Sequence, residues 1–217
     1  MKFDTAIFDL DGTLLNTLND LCRCVNMMLQ NNNYPTRTHD EIESYLGNGA
    51  KKLIEHSLPD GLDDATVERC LAEYRPIYAE HMNDNTQPYD GILPMLQKLK
   101  EMGFQTAVLS NKPDAATVPL CEGFFAGLID TAMGDRPDVR RKPDAEGITI
   151  LLERLHSAPE RTIYIGDSEV DIRTAKNAGL TSVGVTWGYR RKEDLEAENA
   201  DFLIDRPDEL IGIVSND

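Results

Sequence analysis

The sequence predicts an α/β protein: a Rossmann-like parallel sheet flanked by helices, with a helical bundle inserted after the first strand. Two patterns carry that prediction. Short strand-like apolar runs alternate with helix-period stripes from residue 84 to 217, and one such run stands within residues 1–15. The block 16–83 between them reads as helices throughout. The expected organisation is a core of 1–15 with 84–217 and a separate helical domain of 16–83.

Each element has its own signal. Ala6-Ile7-Phe8 is a first strand ending in Asp9-Leu10-Asp11-Gly12-Thr13. Leu18, Leu21, Cys22, Val25, Met28 and Leu29 then fall at helical spacing, as do Ile42, Tyr45 and Leu46, and Leu53, Ile54 and Leu58. A further stripe, Val67, Cys70, Leu71, Tyr74, Ile77, Tyr78 and Ala79, is interrupted by Pro76. Such stripes must be covered, and a small bundle is the simplest packing. Turn-rich breaks at Asn31 to Pro35, Pro59-Asp60-Gly61 and Asn83-Asp84-Asn85 separate them. From Pro88 the pattern predicts a helix near 91–102, a strand at 106–109, a helix near 114–122 and a strand at 128–131. There follow a helix at 145–155, a strand at 162–165, a helix at 170–178, strands at 182–185 and 200–204, and a helix near 207–214. Alternation of this kind favours a parallel sheet whose ligands gather outside the carboxyl ends of the strands.

Composition narrows the function. A formal net charge of -16 argues against a nucleic-acid partner, which would need a basic surface. It does not forbid an anionic substrate, because exposed charges are screened beyond about 10 Å and a local cation can dominate a site. The four cysteines show neither a Cys-x-x-Cys pair nor a histidine at zinc spacing, so free thiols are expected. Met1-Lys2-Phe3-Asp4 runs straight into the first strand without a leader-like segment, and no apolar run approaches the roughly 18 residues needed to span a bilayer. A cytoplasmic protein without membrane contact is expected.

The strand ends carry the candidate chemistry. Residues two apart on an extended strand point to the same side, so Asp9 and Asp11 can converge on one phosphorus centre or one metal ion. Gly12 allows a sharp turn and Thr13 adds a hydroxyl, although an ordinary Asp-Gly turn fits the same letters. Ser110 follows an apolar strand and can donate to a phosphoryl oxygen, with the Asn111 amide beside it. Lys142 stands in the basic run Arg140-Arg141-Lys142, which reads equally well as an exposed cluster. Ser168-Glu169-Val170-Asp171 has capping-box form, and a helix start suits either a cap or a nearby phosphate. Gly47-Asn48-Gly49 followed by Lys51 can present backbone amides and a positive charge, or can be a glycine-rich turn beside a surface lysine. Lys112 reads as a solvated turn lysine, Trp187-Gly188-Tyr189 as a rim of the site, and Met133 to Asp138 has no evident side-chain role. The four histidines stand isolated, each read as a surface or core residue.

In their order along the chain, Asp9 to Thr13, Val108 to Lys112, Arg141-Lys142-Pro143 and Ile163 to Asp171 resemble the four signature motifs of the haloacid dehalogenase-like superfamily. Ser-Asn-Lys-Pro-Asp at 110–114 and Gly47-Asn48-Gly49-Ala50 are similar to its phosphoglycolate phosphatase group. The resemblance spans nearly the whole chain. It implies a magnesium-dependent phosphatase acting on a small phosphate monoester, with 2-phosphoglycolate as the leading candidate. Asp9 is then the nucleophile, forming an aspartyl-phosphate, and Asp11 the general acid and base. Magnesium is then held by Asp9, Asp167 and the Asp11 carbonyl, with Asp171 supporting the ligand shell. Thr13, Ser110, Asn111 and Lys142 bind the phosphate. The 16–83 block becomes a cap, whose Gly47, Asn48, Gly49 and Lys51 select the leaving group. The core motifs alone leave room for a phosphosugar mutase or a pyrophosphatase, and a non-catalytic binding protein is the alternative of another class. A dehalogenase is disfavoured, because Asp11 and the acidic pair Asp167 and Asp171 serve metal-bound phosphate chemistry that a halide substrate does not need. The protein is expected as a monomer or homodimer.

Overall fold

The computed structural model describes residues 2–215. In chain order the elements are β1 (Thr5–Phe8), β2 (Leu15–Asn16), α1 (Leu18–Asn31), α2 (His39–Tyr45), α3 (Gly49–Ser57), α4 (Asp64–His81), β3 (Gln87–Pro88), α5 (Ile92–Glu101), β4 (Gln105–Pro113), α6 (Asp114–Phe125), β5 (Thr131–Asp135), α7 (Glu146–Leu155), β6 (Thr162–Gly166), α8 (Glu169–Asn177), β7 (Thr181–Val185), α9 (Lys192–Ala197), β8 (Phe202–Ile204) and α10 (Glu209–Ser215). They divide into two compact units, one made of the residues up to Leu15 with those from Pro88 onward, the other of Asn16–Gln87. β2 and β3 form a separate two-stranded sheet.

The first unit is built on a six-stranded parallel sheet of order β5-β4-β1-β6-β7-β8. β1 lies between β4 and β6, with Phe8 opposite Val108 on one side and Ile165 on the other. All four β1 residues are buried, which is why the strand reads as a continuous apolar run rather than an alternating one. On one face Ile7, Ala107, Leu109, Met133 and Tyr164 pack with Ile148, Leu151 and Leu155 of α7 and Ala175 of α8. The order reverses at β1, since the chain builds β4 and β5 on one side before crossing to β6 on the other. That switch opens the ligand crevice at the carboxyl end of β1.

In the second unit α1 packs on α4, α2 on α1 and α3, and α3 on α4. Leu21, Cys22, Val25, Met28 and Leu29 form the buried stripe of α1. Near its start the fully buried Asp20 carboxylate accepts the backbone N–H groups of Asn85 and Thr86 at 2.8–3.0 Å, together with their side chains. Asp63 caps α4 by accepting from Thr66 N–H at 2.9 Å.

Three expectations differ from the structure. β4 does not end at Leu109 but runs to Pro113, and Ser110, Asn111 and Lys112 are buried within it. Their polarity hid the continuation. The strand expected at 128–131 begins instead at Thr131, because Leu128 and Ile129 N–H bond back to Phe125 O at 2.8 and 3.2 Å and close the end of α6. Pro76 does not break its stripe, since α4 continues through it. α9 was unforeseen: Leu195 is its one buried residue, too little for a stripe. All four cysteines are buried, and among the described residues none is in a disulfide. Among the described residues no helix is long and apolar enough to cross a membrane.

Candidate active site

The first-unit residues that the sequence assigns to the chemistry end or follow the strands β1, β4, β5 and β6. β1 hands the chain to Asp9, whose N–H donates to Ile165 O at 2.9 Å and so continues the ladder one residue past the strand. Gly12 then turns the chain at φ 82, a left-handed conformation that favours glycine. The turn brings Thr13 across to Asp167, where its hydroxyl donates to Oδ1 at 3.1 Å. Tyr189 N–H donates to Asp167 Oδ2 at 2.8 Å, and Trp187 Nε1–H to Thr13 O at 3.0 Å. A Cβ added at Gly12 would stand 2.3 Å from Asp167 Oδ2, and one at Gly188 2.2 Å from Asp167 Cβ. The absence of both side chains leaves Asp167 its position.

Asp9, Asp167 and Asp171, all buried, each offer an oxygen within 4.8 Å of the others. Lys142 Nζ lies 2.9 Å from Asp9 Oδ1 and 2.7 Å from Asp171 Oδ1. Asp171 is the most engaged of the three. Its Oδ1 also faces Tyr164 OH at 3.3 Å, and its Oδ2 accepts Ser168 N–H at 3.1 Å and Ser168 Oγ–H at 2.6 Å. The capping geometry at 168–171 and the charge pair with Lys142 therefore coexist in one carboxylate.

The remaining groups arrive on β4. Asn111 Nδ2 donates to Lys142 O at 3.2 Å, tying β4 to the lysine loop, and Ser110 Oγ accepts Lys112 N–H at 3.3 Å. Lys112 is not the solvated lysine of the sequence reading. Its side chain is 3% exposed, and Nζ donates to both oxygens of Asp11 at 2.8 and 3.0 Å. The basic run divides by direction: Arg140 pairs with Glu146 at 3.0 Å and Arg141 with Asp135 at 2.9 Å on the exposed side, while Lys142 turns inward. The Lys142–Pro143 peptide is cis.

Charge is out of balance in this cluster. Burial pushes the Asp9 carboxyl up to about 7, against the pull of Lys142 and with Asp171 adding to the rise. Burial, then Asp171 and Asp9, holds Asp167 well above the usual carboxylate range, and the bonds from Tyr189 and Thr13 offset only part of this. Burial would lower Lys142, but Asp171 and Asp9 overcome it and raise the ammonium well above its ordinary value. Among the described residues three clustered carboxylates face one ammonium, and the buried Asp9 Oδ1, 2.9 Å from Lys142 Nζ, meets no group in good hydrogen-bond geometry. An all-oxygen donor set with surplus negative charge fits a hard divalent cation such as magnesium.

Gly47 and Gly49 flank Asn48 at φ 98 and 81 at the start of α3. Lys51 pairs with Glu68 at 2.6 Å on an exposed face. The sequence reading missed two participants, Tyr164 and the buried Lys112. An aromatic inside an apolar strand gives no functional signal, and a lysine after Ser-Asn looks like turn chemistry.

Comparison with known proteins bears on this geometry. The family model described as haloacid dehalogenase-like hydrolase matches residues 6–185. A phosphoglycolate phosphatase of Pseudomonas putida is 32% identical over 210 residues, covering 92% of this chain and 75% of that protein. An N-acetylmuramic acid 6-phosphate phosphatase of Pseudomonas aeruginosa is 29% identical over 216 residues, covering 99% and 96%. A crystal structure from Lactobacillus delbrueckii subsp. bulgaricus, of a protein provisionally assigned as a phosphoglycolate phosphatase, matches with a TM-score of 0.91 at 31% identity and 97% of both chains.

Proposed function

The chain belongs to the haloacid dehalogenase-like hydrolase family as a phosphoric monoester hydrolase, and we propose that it hydrolyses 2-phosphoglycolate through a phosphoaspartate on Asp9. The observation that carries this reading is the buried cluster in which Lys142 Nζ stands 2.9 Å from Asp9, with Asp167 and Asp171 alongside.

In the proposed reaction an Asp9 carboxylate oxygen attacks phosphorus, the bond to the leaving alkoxide breaks, and Asp11 gives that alkoxide its proton. Asp11 then takes a proton from water as the water oxygen attacks phosphorus. The bond between Asp9 and phosphorus breaks and phosphate leaves. Lys142 holds the charge of Asp9 and of the phosphoryl group, with Ser110, the Asn111 amide and Thr13 beside the same oxygens. Asp171 fixes Lys142. Magnesium, held by Asp9, the Asp11 carbonyl and Asp167, would neutralise carboxylate and phosphoryl charge when bound.

The 16–83 block acts in this reading as a cap, with Gly47, Asn48, Gly49 and Lys51 choosing the leaving group. The substrate is a small phosphorylated metabolite, and the two phosphatase relatives define the comparison to make. Phosphate release is measured with 2-phosphoglycolate, N-acetylmuramic acid 6-phosphate and a panel of sugar phosphates, with magnesium and with chelator. Selective, magnesium-dependent turnover of 2-phosphoglycolate that Asp9→Asn abolishes is expected. A specificity constant higher for the amino-sugar phosphate, or metal-dependent turnover by Asp9→Asn, contradicts the reading. A mutase on this scaffold would show itself by needing a bisphosphate and releasing little phosphate.

A further inference from the structure

The scheme above uses Asp11 but not the ion pair that the buried Lys112 makes with this half-buried carboxylate. The ammonium donates to both carboxylate oxygens, at 2.8 and 3.0 Å, while the lysine side chain is 3% exposed and the aspartate 20%. A carboxylate held by both oxygens cannot turn about its own Cβ–Cγ bond without leaving its partner.

The lysine end of the pair is itself fixed from three directions. Lys112 N–H donates to Ser110 Oγ at 3.3 Å, so the lysine and the candidate phosphate-binding serine share one turn. Its carbonyl accepts the Thr117 hydroxyl at 3.1 Å. Neighbouring β5 approaches so closely that a Cβ on Gly134 would stand 2.5 Å from Lys112 O and 2.6 Å from Asp114. Gly134 N–H instead donates to Asp114 Oδ1 at 2.8 Å. The stretch Met133 to Asp138 thus acquires a role through its missing side chain.

We infer that Lys112 is the positioning residue for Asp11: it fixes the acid–base carboxylate relative to the phosphate-binding turn, so that the proton meets the leaving-group oxygen. This rests on the proposed reading of Asp11 as the proton donor. Lys112 itself contributes no atom to the reaction. The proton passes from the Asp11 carboxyl to the alkoxide as the phosphorus–oxygen bond breaks, and Lys112 sets only where that carboxyl stands.

The leaving group provides the test. An alkoxide needs a proton to depart, whereas p-nitrophenolate leaves without one, so misplacing the donor penalises alkyl esters selectively. The ratio of kcat for the best alkyl phosphate to kcat for p-nitrophenyl phosphate is independent of the active fraction in a preparation. It is measured for the wild type, Lys112→Met, Asp11→Ala and the double variant, with Gly134→Ala as a second displacement of Lys112. Lys112→Met is expected to lower the ratio on the order of 10- to 100-fold, the scale of a misplacement near 1 Å. Gly134→Ala should move it in the same direction, and Lys112→Met should lower it no further once Asp11 is alanine. Equal loss on both esters in Lys112→Met, or an unchanged ratio where Asp11→Ala lowers it, overturns the inference and leaves the phosphatase reading standing. An unchanged ratio in Asp11→Ala overturns the inference together with the proton-donor role of Asp11 on which it rests.

Discussion

Replacing Asp9 by asparagine should change how stability depends on pH. The carboxyl is pushed from its ordinary 3.8 up to about 7, first by burial and then by the charge of Asp171, with Lys142 opposing. Between those two values the folded chain holds a proton that the unfolded chain has released. Stability therefore falls as pH rises through this window, being greatest at the acid end, with the loss complete above about 7. A gap of about three pH units at about 1.36 kcal/mol each amounts to about 4 kcal/mol. The assay is urea unfolding of wild type and Asp9→Asn from pH 4.5 to 8 in chelator, taking the difference at each pH so that the other carboxylates largely cancel. The wild type should lose several kcal/mol relative to Asp9→Asn as pH rises. Magnesium should reverse that loss in the wild type, by about 2.7 kcal/mol at a concentration one hundred times its dissociation constant. A difference flat across the range in chelator would refute the argument that charge surplus in the cluster creates the need for a cation.

Other substitutions probe separate parts of the account. Gly188→Ala puts a Cβ 2.2 Å from Asp167 Cβ, and calorimetry should show magnesium affinity weakened at least tenfold with Asp9 untouched. Lys142→Met leaves Asp9 and Asp171 without their shared ammonium, and should cost about 3–5 kcal/mol in urea unfolding at pH 8 and abolish phosphate release. In the second unit, Asp20→Ala strips the acceptor from the Asn85 and Thr86 N–H groups and should destabilise by about 2–4 kcal/mol. Those bonds hold the Asp20 carboxyl below its ordinary range despite burial. Its stabilisation is full above about 4 and is lost as pH falls further, opposite in sign to Asp9.

What the sequence discloses here depends on whether a residue's neighbours are local. The strand of Ala6 to Phe8, the stripe of α1 and the carboxylates at 9, 11, 167 and 171 announce themselves through run, period or spacing. The convergence of Asp9, Asp167 and Asp171 follows from the parallel order, which brings the ends of β1 and β6 side by side. The rest depends on distant contacts. Lys112 is 101 residues from Asp11, and nothing beside it in the chain distinguishes a buried clamp from a solvated turn. Gly134 shows its meaning only against Lys112 O, and Tyr164 only against Asp171. The continuation of β4 through Ser110 to Pro113 was concealed because polar residues there are buried by the site they build. At 168–171 the local signal was correct and incomplete, since the same Asp171 that meets Ser168 also holds Lys142.

The central claim is that Asp9 becomes covalently phosphorylated. Acid-quenched single-turnover samples with magnesium and 2-phosphoglycolate, digested and sequenced by mass spectrometry, test it most directly. The account predicts one phosphoryl group on the peptide bearing Asp9, formed at the rate of leaving-group release and absent from Asp9→Asn. A phosphoryl group on any other residue, or leaving-group release with no labelled peptide at any time, would contradict it.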